Sequence, residues 1–130
     1  MKLVDASSWV EYLRDLKSEA GDRVEVLLLS GEAAWCDITL VELWHGARGT
    51  KEKRALAAME SEIERISVDA AVWRLAAKLA LRCREKGLTV PISDIVTAAC
   101  AAAHGLELEH CDKHFDGILP LARSLSDSNA

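Results

Sequence analysis

Four carboxylates mark where chemistry can gather in this chain: Asp5 behind the apolar pair Leu3 and Val4, Glu42 in TLVEL, Asp94 in SDIV and Asp112 in EHCDKHFD. Each also has a structural role open to it. Asp5 and Asp112 can be turn residues, Glu42 can be the return arm of a capping box with Thr39, and Asp94 can favour the positive end of a helix. Brought together, they repel one another, which raises some of their pKa values unless a cation neutralises them. Hard oxygen donors without a compensating His or Cys set select Mg2+ or Mn2+. An ion held by a few carboxylates keeps several waters, activates one as a nucleophile and stabilises charge building on phosphate. The chemistry implied is metal-assisted phosphodiester hydrolysis.

Whether the acids meet depends on the elements that carry them. Apolar periodicity and breakers predict short strands alternating with longer helices. Residues 2 to 5 read as a strand and SSWVEYLRDL as a helix, with Ser8 and Glu11 at capping-box spacing, which leaves Asp5 free for another partner. A helix is predicted over about residues 18 to 30, ending at Gly31, followed by a short strand in AAWC. TLVELWHGAR reads as a helix with Glu42 in its first turn and Gly46 or Gly49 loosening or ending it. KEKRALAAMESEIE is helical, RISV is a candidate strand, and Asp69 caps a long amphipathic helix that stops at Gly87. After Pro91, Ser93 caps the alanine-rich SDIVTAACAAAHG; LELEH is then a strand with Asp112 just beyond it. From Ile118 onward the pattern assigns no element.

This alternation predicts an α/β fold, layered as a sandwich around a small, mainly parallel sheet. In such sheets ligand chemistry collects beyond the carboxyl ends of the strands, at the topological switch point. Asp5 and Asp112 follow strands, and Glu42 and Asp94 begin helices, so all four belong to one edge.

With 130 residues and 50% hydrophobic content, the chain is sized for one domain over residues 1–130. It has no run of about 18 or more uncharged apolar residues and no secretory pattern at its N-terminus, so a soluble, cytoplasmic protein with no membrane association is expected. The four cysteines form no C-x-x-C pair and read as reduced and structural. A net charge of -5 argues against a broad, nonspecific grip on nucleic acid. Local basic stripes are left open: Arg48, Lys51, Lys53 and Arg54, and Arg74, Lys78 and Arg82 at four-residue spacing. Trp9, Trp35, Trp44 and Trp73 can stack on bases, but their apolar, periodic contexts favour core or interface packing.

DASSWVEYL, then ITLVELWHGA with its E-L-x-x-G pattern (Glu42, Leu43, Gly46), then SDIVTAACAAAHGLEL and DKHFDGI follow one another in that order. Together they resemble a PIN-domain ribonuclease, specifically the VapC-type toxin of toxin-antitoxin pairs, over nearly the whole chain. The resemblance implies a three-layer α/β/α sandwich and a Mg2+-dependent endoribonuclease, with Mn2+ as an alternative ion. It further implies that RNA phosphodiesters are hydrolysed by metal-activated water, leaving a 5′-phosphate and a 3′-hydroxyl. Asp5 and Asp94 are then the principal metal ligands, with Glu42 and Asp112 completing the catalytic pocket and Asp112 contacting the metal directly or through its water. Asp116 matches a further acid of many relatives and is secondary. Ser7 matches a small hydroxyl residue that orients Asp5 or contacts phosphate, with helix capping as its other role.

The chain departs from the pattern at His110, where many relatives carry a small hydroxyl residue. Asp37 either adds a carboxylate or begins a turn. The expected partners are RNA, a cognate antitoxin that places a basic side chain among the carboxylates, and a second copy in a homodimer. Trp9, Tyr12, Leu13, Leu27, Leu28, Leu29, Trp44 and Leu56 offer more apolar surface than the sheet needs, which would serve the two protein partners. Three other readings compete: a PIN-like interaction module without turnover, a receiver or phosphatase-like phosphoryl-transfer domain, and zinc at His110, Cys111 and His114. The phosphatase pattern wants an acid where Ser7 stands, and the zinc reading lacks a second ligand pair.

Overall fold

The computed structural model describes residues 1–14 and 17–128. In chain order the elements are β1 (Lys2–Val4), α1 (Ala6–Leu13), α2 (Glu19–Leu29), β2 (Ala33–Cys36), α3 (Asp37–His45), α4 (Gly49–Glu60), β3 (Glu64–Ile66), α5 (Ala70–Glu85), α6 (Ile92–Ala103), β4 (Glu107–Glu109) and α7 (His114–Ser128). The first helix expected from sequence runs on into residues 15 and 16, which lie outside the described residues.

The strands form a four-stranded sheet in the order β3-β2-β1-β4, and every pairing is parallel. The chain steps outward from β1 to β2 and β3, then crosses back to add β4 on the other side of β1. The switch point therefore lies between β1 and β4, and the crevice beyond their carboxyl ends is where an open α/β sheet binds ligands. Asp5 follows one of these strands directly and Asp112 lies three residues past the other.

Strand alternation divides the core into two layers. Leu3, Ala34 and Cys36 pack under α5, α6 and α7, with Val72, Leu79, Val96, Phe115 and Ile118. Val4, Ala33 and Trp35 face the opposite side, with Trp9, Val24, Leu43 and Leu56. Trp9 and Trp35 are fully buried with ring centroids 5.2 Å apart, and each gains from leaving water against the cost, about 1–3 kcal/mol, of an indole N–H that has no hydrogen-bond partner among the described residues. Trp44 and Trp73 instead reach the surface, 40% and 53% exposed. The eight apolar residues read as a surface surplus need a similar correction. Trp9 and Leu56 are core, Tyr12, Leu13, Leu27 and Leu28 are half-buried against it, and of the eight only Leu29 and, less fully, Trp44 are exposed.

Helix α6 is buried continuously from Asp94 to Ala102, which its alanines permit by letting α3, α5, α7 and β4 approach closely. Ser18 and Asp69 cap α2 and α5 as N-terminal acceptors. The chain leaves these two helices through Gly31 and Gly87 at φ of 71° and 72°, the left-handed region where a β-carbon is costly. The segment left unassigned from Ile118 is helical, carrying Pro120 within α7. Among the described residues, no helix is long and apolar enough to cross a membrane.

Candidate metal centre

The Asp5 N–H donates to the Glu109 carbonyl at 2.9 Å, so pairing of β1 with β4 fixes the backbone where the first acid stands. Asp5 is extended there, at φ -74° and ψ 156°, and is itself the N-cap of α1. Its Oδ2 accepts the Ser7 N–H at 3.0 Å and the Ser7 Oγ–H at 2.7 Å. This overturns the capping box expected at Ser8 and Glu11: Ser8 lies inside α1, buried, with no hydrogen-bond partner for its Oγ among the described residues. Asp5 is not free of capping. It is 3% exposed, and its charge reaches both Glu42 and Asp94. Ser7 orients it, and the Ser7 Oγ also accepts the Cys111 N–H at 3.3 Å, tying the end of β1 to the segment leading to α7.

Glu42 stands in the second turn of α3 rather than the first, because α3 begins at Asp37 with Cys36 as N-cap. Thr39 forms no capping box with it; its hydroxyl lies 3.4 Å from the Cys36 thiol in the core. Burial pushes the Glu42 carboxyl up to about 7, reinforced by the charge of Asp5 and then of Asp94, while a hydrogen bond with the Ser93 hydroxyl opposes the rise. Its Oε1 is buried without a hydrogen-bond partner among the described residues. A buried carboxylate oxygen in that state costs free energy until something positive or protic meets it.

Asp94 is the third residue of α6 and 6% exposed. Ser93, expected to cap this helix, sits inside it; the cap position belongs to Pro91, and no side chain caps there. Burial raises the Asp94 pKa first, then the charges of Asp5 and Asp112, while His114 pulls it down. Asp112 lies between β4 and α7, its Oδ1 accepting the His114 N–H at 3.0 Å. His114 Nδ1 is 3.0 Å from Asp94 Oδ2 and 3.0 Å from Asp112 Oδ1. Among the described residues, Asp94, Asp112 and His114 are the group whose donor atoms lie close enough to share an ion, all within 4.8 Å of one another.

The remaining candidates separate. Asp116 is exposed in the first turn of α7 and outside that group. Asp37 pairs with Arg65 and accepts the Val68 N–H at 2.8 Å; burial acts against its charge, but these two partners hold its carboxyl below the usual range. It anchors the end of β3. The zinc triad does not form: His110 packs on Phe115 with ring centroids 4.9 Å apart, Cys111 is exposed, and His114 turns to the acids. His110 Nδ1 accepts the Asp112 N–H at 3.4 Å, a bond that a small hydroxyl residue could also make locally. Sequence reasoning missed His114 in the acid pocket and Ser93 as a partner of Glu42; the signal for the first was its place two residues after Asp112 at a helix start.

Three carboxylates crowded by burial and mutual repulsion, with an unpartnered oxygen on Glu42, form a donor set that fits a hard divalent cation. Comparison with known proteins identifies the family. The sequence model of the PIN domain family matches residues 2–118. Ribonuclease VapC11 of Mycobacterium tuberculosis is 37% identical over 123 residues, covering 91% of this chain and 91% of that protein. Ribonuclease VapC21 of the same organism is 31% identical over 104 residues, covering 78% and 75%. In the crystal structure of VapBC2 from Rickettsia felis bound to a promoter DNA fragment, one chain superposes with a TM-score of 0.75 at 20% identity, covering 90% of this chain and 92% of that one. A chain of VapBC-5 from Mycobacterium tuberculosis gives 0.65 at 25% identity, covering 88% and 87%. The chain thus belongs to the PIN-domain family, and within it to the VapC type.

Proposed function

We propose that this chain is a Mg2+-dependent endoribonuclease, able to use Mn2+, and the toxin of a cytoplasmic toxin-antitoxin pair, formed as a single domain. The observation that carries this reading is the unpartnered, buried Glu42 Oε1 among three further acids at the switch point of the sheet. Asp5, Asp94 and Asp112 hold the ion, which when bound supplies a more acidic water and neutralises charge developing on the scissile phosphate. Glu42 offers its buried, unpartnered Oε1 to the proton that leaves the attacking water. Ser7 keeps Asp5 from rotating away, and His110 and Phe115 hold the backbone at Asp112. The products are a 5′-phosphate and a 3′-hydroxyl.

The ribonuclease names of the relatives support RNA as substrate. VapBC-5 belongs to the VapBC family of toxin-antitoxin systems, which supports an antitoxin partner. Val41 and Trp44, exposed on α3, line a groove with Leu40, Asp37 and Arg65, which suits a protein segment, and a second copy of the chain completes the assembly. Lys51, Lys53 and Arg54 of α4 are exposed, on a face that a phosphate backbone can approach.

Purified protein incubated with varied RNAs and Mg2+ should cut them, stop when chelator is added, and fail to cut as Asp94→Asn. A well-folded wild type that cuts none of them would favour the interaction module without turnover.

A further inference from the structure

We propose that His114 is a nitrogen ligand of the ion in the acid pocket, making the site a mixed nitrogen and oxygen one; this rests on the metal-dependent reading above. The nitrogen stands level with two carboxylates. Its Nδ1 is 3.0 Å from Asp94 Oδ2 and 3.0 Å from Asp112 Oδ1. Neighbouring ligands of an octahedral ion with bonds of about 2.1 Å lie about 3 Å apart, so these spacings match two edges of one coordination shell that meet at the imidazole nitrogen.

The backbone already places the ring. His114 opens α7, its N–H is held by Asp112 Oδ1 at 3.0 Å, and the adjacent Phe115 is fully buried, so the backbone that carries the imidazole is anchored beside the acids. The side chain is 43% exposed, which leaves room for Nε2 to keep its hydrogen toward solvent while the Nδ1 lone pair binds the ion, the arrangement of a ligating neutral imidazole. Of the other histidines, His110 is turned onto Phe115 and His104 reaches the Ser67 carbonyl.

The consequence is selectivity. Mg2+ prefers oxygen throughout, whereas an imidazole favours first-row transition ions. The chain should bind Mn2+ more tightly than Mg2+, and His114→Ala should weaken Mn2+ binding by about tenfold or more while changing Mg2+ binding less.

The test is pulsed electron paramagnetic resonance on the full chain loaded with Mn2+, with titration calorimetry for affinity. Modulation from a directly bonded 14N should be present in wild type and in His110→Ala. It should be absent from His114→Ala at Mn2+ concentrations high enough to restore occupancy, and 15N-histidine labelling should change its frequency. Mn2+ bound without nitrogen modulation, or modulation that persists in His114→Ala, overturns the assignment and leaves the metal-dependent reading standing. Wild type that binds no Mn2+, or binding undiminished by Asp94→Asn, overturns both.

Discussion

The two sides of the acid pocket are built differently. On the side formed by α6 and the turn into α7, Asp94 and Asp112 share a nitrogen between them, and Asp112 also receives a backbone N–H. On the side formed by α3, Glu42 has one hydroxyl partner in Ser93 and one buried oxygen with none. Asp5 lies between, partnered by Ser7 yet felt by both neighbours. One side holds negative charge with donors already present, and the other holds it only by keeping a proton or receiving a cation.

That difference can be broken first at Asp94. Asp94→Asn keeps the size and the contact with His114 but removes the most buried charge after Asp5, and RNA cleavage should fall about a thousandfold or more, with thermal unfolding as the control. Glu42 comes next. Its folded-state pKa is raised from 4.5 to about 7, so between those values the folded chain binds a proton that the unfolded chain releases. Stability of the metal-free protein is therefore full below about pH 4.5 and falls as pH rises through 7, with Asp94 shifted in the same direction. After allowance for solvent screening the loss from Glu42 is about 2 kcal/mol; urea denaturation in chelator should show it, Glu42→Gln should flatten it, and Mg2+ should reverse its sign.

Smaller effects sharpen the contrast. Ser7→Ala removes one hydrogen bond from Asp5, and should cost about 1 kcal/mol of stability and about tenfold in Mg2+ affinity, read by calorimetry. Asp116→Ala, exposed and outside the cluster, should leave cleavage within about twofold of wild type; a loss as large as that of Asp94→Asn would mean that the pocket reaches past His114 to Asp116.

What the residues disclosed in advance follows the range of the forces involved. The parallel sheet, the caps at Ser18 and Asp69 and the ends at Gly31 and Gly87 are local or periodic, and they were legible. The caps of α1, α3 and α6 were not. Ser8 and Asp5 are equally good N-caps by residue type, and the choice is made by Glu109, whose carbonyl holds Asp5 extended from the far end of the chain. Likewise α3 starts early because Asp37 reaches across to Arg65 in β3 and to Val68 just beyond it. The four acids were identifiable as candidates because topology sends strand ends and helix starts to one edge. His114 escaped because Asp94 and Asp112 give it its setting, and the first of them is 20 residues away.

The double duty of Asp5 separates shape from chemistry at a single atom. Asparagine caps a helix about as well as aspartate, so replacing one carboxylate oxygen of Asp5 by an amide nitrogen keeps an acceptor for Ser7 and the start of α1 while deleting a charge from the pocket. A copy altered in that way would still present every outer surface of the fold to its partners, and so could occupy an antitoxin without cutting anything.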